Sequence, residues 1–235
     1  MNAFSNDGLL KSFVEKTRPI KAILFDLDGT LLDSEELTDR LMSDYLIAAG
    51  RSPNPYELSR FHGVTWTEAV ERFYQIAPDY SEHISADTLR EKFETELVSE
   101  SIRQIEKASD FVREASQHFR CVIVSSSPRS TIFRAIETLN ISSYIEFVVG
   151  EEDIEKSKPA PDPYLQALRG LGLPPTQVLT FEDSDAGITS SMVAGMWTVG
   201  INRQSGHFSQ MGEVEPHLTI KTFADLPLEF CKMLK

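Results

Sequence analysis

The sequence predicts an α/β fold, a doubly wound parallel sheet of the Rossmann-like kind carrying an inserted all-helical domain. Three observations predict it. Apolar runs of strand length alternate with helix-period segments over most of the chain. The first run, IKAILFD at 20–26, is apolar without interruption and ends in an acid, as a strand buried on both faces and opening into a ligand crevice does. From residue 34 to about 100 the alternation stops and only helical patterns remain.

After a polar N-terminal segment with room for one short helix, the strands are expected at 20–26, 121–125 (CVIVS), 145–150 (IEFVVG) and 178–181 (VLTF), with weaker ones at 197–201 (WTVGI) and 217–220 (HLTI). Between them, Phe111, Val112, Ala115 and Phe119, then Ile132, Phe133, Ile136 and Leu139, then Leu165, Leu168 and Leu171 recur at helical spacing. Asp162 before Pro163 reads as an N-cap with proline at the first helical position, and Gly172 as the stop of the same helix. In the helical stretch, Leu37, Leu41, Tyr45 and Ala48 form one apolar stripe closed by Gly50. Thr65 and Glu68 suggest a capping box ahead of Val70 and Phe73, and Leu89, Phe93 and Leu97 mark a further helix. The division expected is a core of residues 1–33 and 101–235 and a helical cap of residues 34–100, inserted where such folds bind ligands.

Composition bounds the function. With 235 residues, 41% of them hydrophobic, the chain is long enough for a substantial core without a disulfide or metal staple. Twenty-three Lys and Arg against 36 Asp and Glu leave a net charge of −13, the wrong sign for a nucleic acid or an anionic membrane surface. An anionic substrate would need a local cation, and a divalent metal held by clustered carboxylates can supply one. Cys121 and Cys231 are isolated, which suits a reducing cytoplasm, and the N-terminal residues read as neither a signal nor a transit peptide. No run approaches the roughly 18 apolar residues of a membrane span.

Four segments carry the chemistry. In Asp26-Leu27-Asp28-Gly29-Thr30 the two acids stand at i and i+2 of an extended chain, so both face the crevice while Leu27 faces inward, and Gly29 permits a sharp turn. Carboxylates so close repel unless a cation binds them or one is protonated, which is how a pair acquires two roles. Ser125-Ser126-Ser127 ends the second strand, where a hydroxyl and the amides opening a helix can hold a phosphate oxygen. Lys158 lies in KSKPAPD after the third strand, and Glu182-Asp183 ends the fourth, offering hard oxygen ligands suited to Mg²⁺. Taken singly, each has a structural reading: a solvated turn, a helix cap, an exposed lysine (the reading kept for Lys156) and a second cap. Together they fall at the carboxyl ends of four successive strands, and a shared site explains that better.

The segments DLDGT, SSS, KSKPAPD and FEDSDAGI resemble the four motifs of the haloacid dehalogenase (HAD) superfamily, in the β-phosphoglucomutase and small-molecule phosphatase branch with a helical cap; the resemblance covers residues 20 to about 202. It implies an aspartyl-phosphate formed on Asp26 and proton transfer by Asp28. Ser125, with the backbone at Ser126, would bind the phosphoryl group, and Lys158 would neutralise its charge and hold Asp26. Mg²⁺ would be held by Asp26, Glu182, Asp183 and the backbone carbonyl of Asp28. The presence of Asp28 argues against dehalogenase and C–P-cleaving relatives. Thr38 and Trp66 stand where the mutase branch carries a histidine and an arginine, which favours a phosphatase. The segment Ile105–Ser109 lacks the family's common Pro-Gly turn, so the cap boundary is fixed only to within several residues. In the cap, Arg60, His62 and Trp66 near Gly63 are candidates for touching substrate.

The expected function is therefore a cytoplasmic Mg²⁺-dependent phosphatase of small monoesters, of sugar or phosphoglycolate-like type. A phosphomutase and an idle phosphate-binding or regulatory protein are the alternatives. The oligomeric state, monomer or dimer, is left open, as are the substrate and the role of residues 1–18.

Overall fold

The computed structural model of the protein describes residues 7–82, 84–99, 104–202 and 214–235. Six strands form one sheet: β1 Ala22–Phe25, β2 Arg120–Val124, β3 Phe147–Val149, β4 Val178–Glu182, β5 Trp197–Ile201 and β6 Leu218–Ile220. All neighbours pair in parallel, in the order β3-β2-β1-β4-β5-β6. The chain moves outward from β1 through β2 to β3, then crosses back to β4 on the other side of β1. The strand order therefore reverses at the β1/β4 boundary, where open α/β sheets bind ligands. Register places Phe25 beside Phe181, so Asp26, just past β1, stands beside Glu182, the last residue of β4.

The helices among the described residues are α1 Asp7–Thr17, α2 Glu35–Ala48, α3 Pro55–Ser59, α4 Trp66–Ile76, α5 Ala86–Ser99, α6 Ala108–Ser116, α7 Arg129–Thr138, α8 Asp162–Leu171, α9 Asp185–Val193 and α10 Phe230–Met233. Alternate residues of β1 point into two cores. Ile23 and Phe25 join Phe111, Phe181, Phe223 and Phe230 on one face, while Ala22 and Leu24 join Tyr164, Ala167, Leu168 and Leu171 of α8 on the other. The all-apolar strand signal has this cause: both faces of the central strands are covered.

Helices α2 to α5 form the inserted helical domain. Its entry and exit run together, since the Ile105 amide donates to the Leu31 carbonyl at 3.0 Å and Leu32 bridges to Gln104. Gly63 follows α3 in the left-handed region, φ +69°, and Ser126 Oγ donates to its carbonyl at 3.0 Å. Further out, Ser157 Oγ donates to Glu68 at 2.7 Å, and Thr131 donates to Glu94. These bonds hold the helical domain down over the carboxyl ends of the strands.

Several local expectations need correction. The helix α8 begins at Asp162 itself, with Pro161 at the cap position and no side-chain cap, one residue earlier than the Asp-Pro signature implies. In α7 and α8, Phe133 and Leu165 are exposed, and the buried stripes run through Ile132, Ala135, Ile136 and Leu139, and through Tyr164, Ala167, Leu168 and Leu171. In α2 it is Met42 and Leu46, not Ala48, that complete the stripe of Leu37 and Leu41. Thr65 caps α4 by accepting from the Glu68 amide, but the Glu68 side chain turns to Arg72 and Ser157, so the box is half-formed. The helix α3 was not anticipated, although Asn54-Pro55 with Glu57 is a complete capping box. At the place of the missing Pro-Gly turn, Lys107 takes the left-handed conformation, φ +65°, ahead of α6. The Leu97 side chain and residues 100–103, where the insertion was expected to end, lie outside the described residues.

Candidate active site

The site is built at the strand-order reversal. Asp26 follows β1 and is 3% exposed; its Oδ1 accepts from Lys158 Nζ at 2.6 Å, and its Oδ2 is buried with no hydrogen-bond partner. Burial drives the Asp26 carboxyl well above its usual range, with Glu182 and Asp28 adding to the effect and Lys158 opposing it. Lys158, fully buried, also donates to Glu182 Oε1 at 2.6 Å and to the Val124 carbonyl at 3.2 Å. Burial alone would favour its neutral form, but Asp26 and Glu182 outweigh that and raise its pKa, so it stays an ammonium. The exposed-lysine reading is thereby excluded for Lys158 and met by Lys156, which is exposed.

Gly29, at φ +82°, turns the chain so that Asp183 can come close. A Cβ at that position would collide with the Asp183 carboxylate. Asp183 Oδ1 accepts from Thr30 Oγ1 at 3.1 Å. Burial raises its pKa well above the usual value, and Glu35, Asp26 and Glu182 push it the same way. Carboxylate oxygens of Asp26, Glu182 and Asp183 lie within 4.8 Å of one another. Three carboxylates gathered this closely offer a set of hard oxygen donors that fits a small divalent cation.

Asp28 is held differently. Its Oδ1 accepts from Ser34 Oγ at 2.8 Å, and its Oδ2 from Ser127 Oγ at 2.9 Å and Ser125 Oγ at 3.4 Å. The side chain therefore turns away from the acidic trio and toward the cleft. Ser125 Oγ in turn accepts from the Ser127 amide at 3.0 Å, while the Ser126 hydroxyl is engaged with the helical domain through Gly63. A cleft partly open to solvent is lined by Asp26, Asp28 and Ser125 to Ser127 below and by residues of the helical domain, His62 and Trp66 among them, above.

Thus the structure brings together Asp26, Asp28, Ser125, Ser126, Lys158, Glu182 and Asp183, and of the substrate candidates it places His62 and Trp66 on the cleft but not Arg60, whose guanidinium donates to Gln75. Sequence reasoning missed Ser34, Ser127, Thr30 and Tyr164, whose hydroxyl, fully buried, donates to Glu182 Oε1. Ser127 was visible in the serine run. Tyr164 bore no signal beyond helical periodicity.

Comparison with known proteins agrees with this geometry. The family profile for haloacid dehalogenase-like hydrolases matches residues 23–201. Protein CbbY of Rhodobacter capsulatus is 30% identical over 192 residues, covering 77% of this chain and 84% of that protein. Phosphoglycolate phosphatase of Salmonella typhi is 26% identical over 235 residues, covering 91% and 93% respectively. Among solved structures, β-phosphoglucomutase of Clostridium difficile superposes with a TM-score of 0.73 at 19% identity, covering 91% of this chain and 96% of that one. With its sheet reversal, inserted helices and acid-lined crevice accounted for, this chain belongs to the haloacid dehalogenase-like hydrolase family.

Proposed function

We propose that the protein is a Mg²⁺-dependent phosphatase that hydrolyses small phosphate monoesters through a phosphoryl-enzyme on Asp26. The observation that carries this reading is Asp26 Oδ2. It is buried and unpartnered on a cleft floor, with Oδ1 pinned by Lys158 and a second carboxylate, Asp28, held by three hydroxyls beside it. A buried oxygen without a partner costs free energy unless a ligand or metal completes it.

In the proposed cycle Asp26 Oδ2 attacks phosphorus, the ester P–O bond breaks, and Asp28 delivers its proton to the departing oxygen. Asp28, now a carboxylate, takes a proton from water as that water attacks phosphorus and releases inorganic phosphate from Asp26. Ser125 and the Ser126 amide hold the phosphoryl oxygens, and the Lys158 ammonium meets their charge while fixing Asp26. Asp26, Glu182, Asp183 and the Asp28 carbonyl would hold Mg²⁺, which when bound supplies positive charge against the phosphoryl group and favours the ionised carboxylates. Residues 34–100 act as a cap on the paired linkers at Leu31–Leu32 and Gln104–Ile105. The enzyme works in the cytoplasm on a small phosphorylated metabolite, with no nucleic acid or membrane involved. Among the described residues no helix is long and apolar enough to cross a membrane.

The test is release of inorganic phosphate from a panel of monoesters with Mg²⁺ and after chelation. Turnover that needs Mg²⁺ is expected, and full activity in a metal-stripped sample would refute the assignment of the acidic trio.

A further inference from the structure

Two donors from one stretch of chain, Lys158 on the loop after β3 and Tyr164 in the first turn of α8, reach the same atom. Glu182 Oε1 accepts from Lys158 Nζ at 2.6 Å and from the Tyr164 hydroxyl. All three residues are fully buried. The tyrosine ring packs in the core with Ala22, Leu24, Val122, Val124 and Val178, and its face meets the ammonium, with Nζ 5.4 Å from the ring centroid. Tyr164 does not line the cleft, so its hydroxyl acts on the site only through Glu182.

A glutamate side chain turns about several bonds, so a free one offers its oxygens to a cation in many orientations. Here one orientation is fixed. Two donors occupy Oε1, whereas Oε2 meets only the Asp183 amide at 3.3 Å and Ser184 Oγ at 3.4 Å, long contacts that leave it room for a further partner. Gly187, in the first turn of α9, stands against the same carboxylate: a Cβ there would lie 2.1 Å from the carboxyl carbon and from each oxygen. Lys158 cannot hold this seat alone. Its ammonium is divided among Glu182, Asp26 Oδ1 at 2.6 Å and the Val124 carbonyl at 3.2 Å, which takes all three of its donors. The phenol gives its single proton to Glu182 undivided.

We propose that Tyr164 is a positioning residue for the divalent cation: its hydroxyl holds Glu182 by Oε1 and leaves Oε2 to the cation, so the affinity of the site depends on a residue that is not itself a ligand. The inference rests on the reading of Asp26, Glu182 and Asp183 as the metal-binding acids and goes beyond it. Without the hydroxyl, Glu182 Oε1 keeps only a share of one ammonium and the side chain regains rotamer freedom, which the cation must then remove as it binds. Hydrogen-bond partners of a ligand tune a metal site in this way, through the order they impose.

The test compares the unaltered full chain with Tyr164→Phe, which removes one oxygen, keeps the ring in the core and leaves Lys158 on Glu182. Each metal-free protein is titrated with Mn²⁺, which favours the same oxygen donors as Mg²⁺, and free Mn²⁺ is counted by electron paramagnetic resonance before Mg²⁺ is added as a competitor. The unaltered chain should bind Mn²⁺ stoichiometrically, and Tyr164→Phe should bind both ions about 10–100-fold more weakly. Replacing Tyr164 by para-aminophenylalanine, which restores a donor of the same reach, should recover most of that loss. Leu168→Ala opens the same core one turn along α8 but has no polar group to take from Glu182, so it should lower the melting temperature and leave the affinity unchanged. Unchanged affinity in Tyr164→Phe, an equal loss in Leu168→Ala, or a para-aminophenylalanine variant no better than the phenylalanine one would overturn the positioning role and leave the acidic trio as the metal site. Absence of stoichiometric binding by the unaltered chain would overturn the metal reading and this inference with it.

Discussion

At the scale of single residues, Asp26 and Asp28 are two positions apart in the chain yet differently placed. Asp26 is buried against an ammonium with one oxygen unsatisfied, whereas Asp28 is bound by hydroxyls on both oxygens. The roles proposed from this difference predict different losses. Asp26→Asn should lose turnover entirely while the protein still folds, because the amide matches the carboxylate in shape but not in nucleophilicity. Far-ultraviolet circular dichroism with a phosphate-release assay checks both halves. Asp28→Asn should lose most, about 100-fold or more, on esters of alkyl alcohols and least on p-nitrophenyl phosphate, whose leaving group needs no proton. A uniform loss across leaving groups would count against Asp28 as the acid.

His62 gives a prediction in pH. Its folded pKa of about 9 lies above the ordinary value of 6.5, so its pairing with Glu35 and Asp39 contributes stability that is fully present below pH 6.5. That contribution declines as pH rises through this interval and is gone above about 9. The imidazole proton resonances should therefore titrate near pH 9, and thermal melts of His62→Gln and the unaltered protein should converge as pH rises from 6.5 to above 9. A His62 midpoint near 6.5 would show that the clamp does not hold in solution.

At the scale of elements, α4 is tied to the core by one side chain. Glu68 accepts from Ser157 Oγ on the loop carrying Lys158 and from Arg72 one turn along its own helix, so it couples the helical domain to the loop that positions the ammonium. Glu68→Ala removes that tie without entering the cleft. A hydrogen bond to a charged group contributes about 1.5–3 kcal/mol, so KM should rise roughly tenfold or more, with a smaller effect on kcat. Hydrogen exchange in α4 and α5 should accelerate as well, and unchanged KM and exchange would show that Glu68 does not hold the domain closed.

At the scale of the whole molecule, the cleft must serve either water or a second phosphoryl transfer. Thr38 and Trp66 line it and bring no charge, and no arginine or lysine lines it among the described residues to hold a distal phosphate. Incubation with a hexose 1-phosphate and a catalytic amount of the corresponding bisphosphate should therefore yield, at most, free sugar and inorganic phosphate. Accumulation of hexose 6-phosphate with little phosphate release would make the protein a mutase and leave its fold and nucleophile unchanged.

Much of this was legible in the chain because the signals are local. A strand buried on both faces must be apolar throughout, and all six strands were marked by that property or by β-branched residues near their observed bounds. The four polar segments were legible because each lies at or beyond the carboxyl end of a strand, and parallel strands bring those ends to one edge. Other features depend on distance in space. Which serine reaches Asp28, that a tyrosine from α8 would satisfy Glu182, and that Glu35 and Asp39 would close on His62 are set by helix docking. No spacing along the chain encodes these contacts. The same holds for Phe133 and Leu165, which have core periodicity but face solvent, because packing of neighbouring elements decides which side of a helix is covered. Sequence pattern determined the fold and the inventory of acids, hydroxyls and lysine, whereas tertiary structure decided their partners. Hydrophobic periodicity acts over a few residues, and electrostatic and hydrogen-bond environment is a sum over every element that packs around the site.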